Sequence, residues 1–186
     1  PIVTYIIDRN INYTNICIAQ CDFCAFYRKP GDPDGYVLSR DTFRHKIQET
    51  LELGGVQILL QGGLNPKLSI EWFEDLFRWI KRTVPIHIHG LSPSEIAFLA
   101  RQAGLSIRDT LRRLKNAGLD SIPGGGAEIL SQSFREKVRA HIKISGDDWL
   151  AVMRIAHQEE MKTTATMMYG SVETLDERLT HFLKIR

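Results

Sequence analysis

Cys17, Cys21 and Cys24 are the only cysteines of the 186-residue chain, and all three fall within one eight-residue window. The run reads Asn15-Ile16-Cys17-Ile18-Ala19-Gln20-Cys21-Asp22-Phe23-Cys24-Ala25-Phe26-Tyr27-Arg28. Thiolates are soft ligands that select zinc, copper(I) or an iron–sulfur cluster. A C-x3-C-x2-C spacing puts three of them on a loop short enough to wrap one compact object. The odd number narrows the choice. A disulfide would strand one thiol, and structural zinc draws on paired ligand sets, whereas His45 is the nearest histidine downstream and stands alone on a helical pattern. Electron-transfer modules supply four cysteines per cluster. A cubane held by three cysteines keeps one iron open, and an open metal position is where a substrate binds.

A second constellation is the pair His87 and His89. Two residues apart on a strand, they point to the same face. If that face is a barrel interior they could bind a metal, which defines a rival class, a metal-dependent hydrolase of barrel fold. Such a site needs further histidines and an aspartate from later strands. None of the other histidines sits on a clear strand end, and the rival leaves the cysteine triplet unexplained. The pair also suits substrate contact or proton transfer, because imidazole titrates near working pH. A hydrogen-bonded core position is the plainer alternative.

The elements that must hold these groups alternate between helices and short apolar strands. Val56–Leu60 is a strand-like run ending at Gly62-Gly63. Before it, Phe43, Ile47 and Leu51 recur at helical spacing behind the cap Ser39, with Gly54 as the stop. After it, Ile70, Phe73, Leu76, Phe77 and Ile80 form one helical face behind Ser69. Ile86–His89 reads as a strand, and Ser92-Pro93 opens a helix with proline at its favoured first position. Ser106 with Asp109 resembles a capping box ahead of Ile107, Leu111 and Leu114. A short strand at Leu119–Ile122 runs into Pro123 and three glycines. Thr163–Met168 is the last predicted strand, followed by a helix capped by Thr174. Strand–helix repeats without hairpin signals indicate a parallel sheet covered by helices, an α/β fold. Both a doubly wound sheet and part of a (β/α) barrel fit, and in either the strand C-terminal ends carry the ligand.

Composition excludes several classes. Lys plus Arg total 24 against 22 for Asp plus Glu, a net charge of +2, which argues against nucleic acid or an anionic membrane as partner. No apolar run approaches the ~18 residues of a membrane span. With no signal peptide before the thiols, we expect a reducing, cytoplasmic setting.

The cysteine run, with Phe23 just before the last cysteine, resembles the signature of the radical S-adenosylmethionine superfamily. Further segments extend the resemblance along nearly the whole chain: Asn10–Asn15, Gly31–Ser39, Gln61–Pro66, Pro123–Glu128 and Thr164–Gly170. They are similar to the branch that holds the futalosine cyclases of menaquinone biosynthesis, with the aminofutalosine and deazaflavin-chromophore synthases as sister groups. The resemblance implies a full or partial (β/α) barrel carrying a 4Fe-4S cluster on the loop after its first strand. S-adenosyl-L-methionine would chelate the open iron and be split to a 5′-deoxyadenosyl radical. The substrate would be a small nucleoside-derived molecule, cyclised with formation of a carbon–carbon bond in an oxidoreductase reaction, and a low-potential electron donor would reduce the cluster.

Residue by residue, the resemblance makes Cys17, Cys21 and Cys24 the cluster ligands and Phe23 the aromatic near the adenine. Gly62 and Gly63 match the double glycine that approaches the methionine end of the cosubstrate. Leu64 replaces the acid usual after that pair, so the amino-group contact must come from elsewhere. Glu128 stands where a polar side chain meets the ribose, and Thr166, Met168, Gly170 and Glu173 match a pattern lining the adenine. Ser171 departs from the histidine expected in this branch. Each has a plainer reading: the glycines as a tight turn, Glu128 and Glu173 as helix N-terminal acids, Met167 and Met168 as core fillers. We also expect residues 1–186 to be one domain, a radical SAM core cut at both ends and lacking its C-terminal strands. A sheet cut there would expose an edge and part of an apolar interior, and would self-associate.

Overall fold

The computed structural model describes residues 2–186. Five short strands form one parallel sheet: β1 (Asp8–Asn12), β2 (Gln57–Gln61), β3 (His87–Gly90), β4 (Ser121–Ile122) and β5 (Lys162–Thr163). Helices α1 (Arg40–Glu52), α2 (Ile70–Thr83), α3 (Pro93–Ala103), α4 (Ile107–Ala117), α5 (Gln132–Lys137) and α6 (Gly146–Gln158) connect them, and α7 (Leu175–Ile185) follows β5. The spatial order of strands equals their chain order. That order decides between the two expected architectures. A doubly wound sheet reverses direction at a switch point, and this one never does. Right-handed crossovers that all step the same way lay every connecting helix on one face. The result is a singly wound, barrel-type segment.

Local chemistry sets the helix starts. Ser39 accepts from the Thr42 N–H, and Ser92 forms a reciprocal capping box with Glu95, with Pro93 beside it at the first helical position. Thr174 forms a second reciprocal box with Glu177. Ser106 takes the Asp109 N–H, whereas Ser69 holds the cap position of α2 without a side-chain bond. Each filled cap satisfies one of the helix's orphan donors and contributes about 1 kcal/mol.

Two faces of the sheet differ in kind. Ile11, Ile58, Leu60, Ile88 and Ile122 point to the helices and are buried with Phe43, Phe73, Phe77, Leu111 and Trp149. The register places Asn10, Asn12, Gln57, Gln61, His87, His89 and Ser121 on the opposite face, with Leu59 as its aliphatic exception. The interior was expected to be apolar; it is polar.

β5 is shorter than the predicted Thr163–Met168. Thr164 N–H still reaches Ile122 O at 3.1 Å, but Pro123 has no N–H to continue the ladder. The pairing passes to side chains: Gly124 N–H donates to Thr164 Oγ1 at 3.0 Å and Thr166 Oγ1 to Gly124 O at 2.7 Å. Helix α7 docks through polar groups, Glu177 and His181 being buried while Leu175, Leu179, Phe182 and Leu183 face solvent. No helix among the described residues is long and apolar enough to cross a membrane.

Candidate functional site

The segment from Tyr13 to Arg28 leaves the C-terminal end of β1 and is pinned on three sides. On the β2 side, Gly63 N–H donates to Thr14 O at 3.2 Å and Ile18 N–H to Leu64 O at 3.1 Å. The loop closes on itself through Cys17 N–H to Arg28 O (2.9 Å) and Arg28 N–H to Asn15 O (2.8 Å). At the far end, Asp22 N–H reaches Val138 O at 3.2 Å, just past α5. The Gly31–Ser39 segment supports it from below: Asn15 donates to Asp34 O at 3.0 Å and takes the Tyr36 N–H at 2.8 Å.

Cys17, Cys21 and Cys24 are free thiols that line one cleft of about 310 Å³. Cys21 is buried and the other two half-buried, against Ala19, Leu64 and Phe98. Burial, opposed by Lys143 but seconded by Glu128 and the other thiols, pushes the Cys21 thiol up to about 11. A thiol in such a place is inert unless a metal displaces its proton. No three His, Cys, Asp or Glu side chains among the described residues converge on a single point as a lone metal ion requires. The three thiols border one shared space on a short loop, and three soft donors are a ligand set that suits an iron–sulfur cluster.

The glycine pair has a reason visible in the packing. A Cβ on Gly63 would sit 2.3 Å from Ile16 O and 2.7 Å from Cys17 Cβ; one on Gly62 would sit 2.6 Å from the Tyr13 ring. Only glycines let the end of β2 touch the backbone of the cysteine loop. Leu64 is a buried apolar wall under the thiols, and its side chain offers no polar contact.

Glu95 ties these pieces together, a role the sequence hid inside a capping box. Its Oε1 accepts from Tyr13 Oη at 2.6 Å and Gly62 N–H at 3.1 Å; its Oε2 accepts from Ser92 N–H at 2.7 Å and Ser92 Oγ at 2.5 Å. Four donors fill the carboxylate's acceptor sites. Burial still raises its pKa, opposed by those hydrogen bonds.

The opposite wall comes from the segment after β4. Glu128 sits at φ 43°, and its side chain is only 10% exposed. Its buried Oε2 accepts no hydrogen bond among the described residues but lies 3.7 Å from Arg135 Nη1, while Oε1 lies 3.7 Å from Lys143 Nζ. Fully buried Arg135 holds this wall by donating to the carbonyls of Gly126, Ala127, Ala140 and Ile144. Lys143 was not singled out in the sequence. Burial depresses it, but Glu128, Cys21, Glu95 and Cys17 outweigh that and raise its pKa.

The predicted residues divide into groups. Phe23, Gly62, Gly63 and Glu128 line the same cleft as the cysteines. Met168 stands behind it, its N–H on Glu128 O at 2.9 Å and its side chain against the Ile129–Phe134 cluster. Gly170 and Glu173 lie outside the lining and form a turn before α7. Glu173 accepts from Gly170 N–H at 2.6 Å, Ser171 N–H at 2.8 Å and Arg178, bonds that hold its carboxyl down at about 2. His87 and His89 do share the inner face, as the spacing requires, and both bond Ser121 Oγ.

Comparison with known proteins places this geometry. The family model described as "Radical SAM superfamily" matches residues 11–185. A cyclic dehypoxanthine futalosine synthase of Halalkalibacterium halodurans is 46% identical, covering 100% of this chain and 50% of that protein. A 5-amino-6-(D-ribitylamino)uracil–L-tyrosine 4-hydroxyphenyl transferase of Methanopyrus kandleri is 42% identical over 99% of this chain and 50% of that protein. The chain thus spans about half the length of the curated relatives it matches. Among solved structures, methylornithine synthase superposes with a TM-score of 0.73 at 17% identity, covering 97% of this chain and 50% of that one, a likeness of fold.

Proposed function

Because the chain belongs to the radical SAM superfamily, we propose that it is the core of a radical enzyme that cyclises dehypoxanthine futalosine. Its cofactors are the family's, a 4Fe-4S cluster and S-adenosyl-L-methionine. When bound, they supply a 5′-deoxyadenosyl radical that takes a hydrogen atom from a substrate carbon. One observation carries the reading: three free thiols share a cleft with a glycine turn and a carboxylate, Glu128, at the C-terminal ends of a parallel sheet.

Each residue then has a task. Cys17, Cys21 and Cys24 hold the cluster and leave one position for the cosubstrate. Gly62 and Gly63 bring bare backbone to its methionine end, where Lys143 offers a cation. Glu128, a carboxylate of the cleft lining, offers an acceptor for ribose hydroxyls, a charge-assisted bond. Phe23, at the rim, covers the adenine. Met168 braces Glu128 from behind, and Gly170 and Glu173 fix the turn that ends this wall. The polar inner face receives the nucleoside-derived substrate, with His87 and His89 for contact or proton transfer. A low-potential donor supplies the electron. The exposed stripe Leu175, Leu179, Phe182 and Leu183 supports association with a second chain.

The transferase relatives support a second reading, in which the same radical acts on tyrosine with a ribityl-uracil acceptor. Anaerobic assay of the full-length polypeptide with each substrate set decides. The proposal expects cyclised product from dehypoxanthine futalosine alone; product only from the tyrosine pair would replace it.

A further inference from the structure

Ser121 Oγ stands between two imidazoles, 2.7 Å from His87 Nε2 and 2.7 Å from His89 Nδ1. A hydroxyl has one proton to give. It can therefore donate to one neutral histidine only, and must accept from the other. Which way the proton points follows from a fourth group. His87 Nδ1 lies 4.0 Å from Asp120 Oδ2, an oxygen fixed by the Ile88 N–H at 2.6 Å and Lys81 Nζ at 2.5 Å. At 4.0 Å this is an electrostatic bias and not a hydrogen bond, and it sets the direction we assign, with a proton on His87 Nδ1. His87 Nε2 is then an acceptor, Ser121 donates to it, and His89 Nδ1–H donates to Ser121. That tautomer of His89 carries its lone pair on Nε2.

We propose that His89, Ser121 and His87 form a directed proton relay from the inner face of the sheet to the solvent beside Asp120. It rests on the proposed reaction, in which ring closure must shed a proton. A proton arrives at His89 Nε2, His89 Nδ1–H passes to Ser121 Oγ, and the Ser121 proton passes to His87 Nε2. His87 releases its Nδ1 proton to water. One proton enters and one leaves, with no electron moved. Position supports the direction. His89 is half-buried and two residues below Gln61 on the paired strand register, about 7 Å beneath the cleft lining at ~3.3 Å per residue. The His87 side chain is 42% exposed. The charges facing the relay are Asp8 from β1, Asp120 before β4 and Lys162 of β5, paired in register with Ser121. Burial, then the neighbouring His87, lowers the His89 pKa, which keeps it neutral and ready to accept.

The test is ¹⁵N-histidine NMR of the full-length protein at neutral pH, paired with turnover. The relay expects the Nδ1–H tautomer at both histidines, and Ser121→Ala to shift both. In turnover, Ser121→Ala should keep 5′-deoxyadenosine formation within about twofold while cyclised product falls at least tenfold. Other tautomers, or unchanged shifts and product in Ser121→Ala, would overturn the relay. A wild-type enzyme that turns over neither substrate set counts against the reaction, and the tautomers alone then decide the relay.

Discussion

The two walls of the cleft are built by different means. On the β1–β2 wall, the cysteine loop and the glycine turn meet backbone to backbone, with no room for a Cβ at Gly62 or Gly63. A buried carboxylate, Glu95, knots Tyr13, Gly62 and the start of α3 together. On the β4–β5 wall, the regular ladder ends after two residues, and loops are held by side chains. Arg135 gathers carbonyls, Glu173 caps its own turn, and Glu128 faces Arg135 and Lys143. The lesson is that the first wall holds its thiols rigidly, as the proposed cluster requires. The second can adjust to a bound molecule, as loops with few regular hydrogen bonds do.

The largest effect should come from breaking the first wall. A valine at Gly63 overlaps Cys17 itself, so Gly63→Val is expected to lose both cluster content and cosubstrate binding. Iron analysis with equilibrium binding checks it; full iron with weakened binding alone would mean that the backbones can part.

Next comes the knot. Glu95→Ala strands the Tyr13 hydroxyl and the Gly62 and Ser92 N–H groups in a buried place. A loss of roughly 1–3 kcal/mol of stability follows from such unpaired donors, read as a lower denaturant midpoint. An unchanged midpoint would remove Glu95 from the account.

The second wall should yield more gently. Glu128→Gln keeps the shape and loses the charge that faces Lys143 and Arg135. Cosubstrate affinity is expected to fall about tenfold, with cluster content intact, in line with losing a charge-assisted bond of ~1.5–3 kcal/mol. Equal affinity for both proteins would put the ribose elsewhere.

The smallest effect concerns α7. Glu173 and Glu177 are both held at about 2, Glu173 chiefly by the Gly170 N–H and Glu177 by Ser133. Depressed carboxylates stabilise above their unfolded pKa of about 4.3, and that contribution is lost as pH falls toward the folded value. Acid titration followed by hydrogen exchange should show α7 loosening between about pH 4.3 and 2, with Glu173→Gln already loose at neutral pH. Protection of α7 independent of pH in that range would contradict this.

The same contrast explains what the sequence could disclose. Thiol spacing, caps at Ser39, Ser92 and Thr174, and the Ile70–Ile80 stripe are local, so they were legible. Ser92-Pro93 was legible as a helix start, but a local pattern does not tell that Glu95 three residues on also reaches Tyr13 and Gly62, distant in sequence. Lys143 and Arg135 were invisible for a similar reason, since their partners are carbonyls and a carboxylate of a glycine-rich loop. Helix α6, with Trp149, Val152, Met153 and Ala156 at helical spacing behind Ser145, carried a signal that was overlooked. The polar inner face was only partly legible: His87 and His89 alternate with Ile88, but β4 has two residues and shows no alternation. The predicted strand to Met168 failed where Pro123 ends its partner.

The most direct test of the central claim is electron paramagnetic resonance of the reconstituted, reduced full-length protein, with and without S-adenosyl-L-methionine. We predict about four iron and four sulfide per chain, a reduced-cluster signal that shifts when the cosubstrate is added, and loss of both on changing Cys17, Cys21 or Cys24 to alanine. Stoichiometric zinc without iron–sulfur absorbance, or a cluster signal indifferent to the cosubstrate, would contradict it.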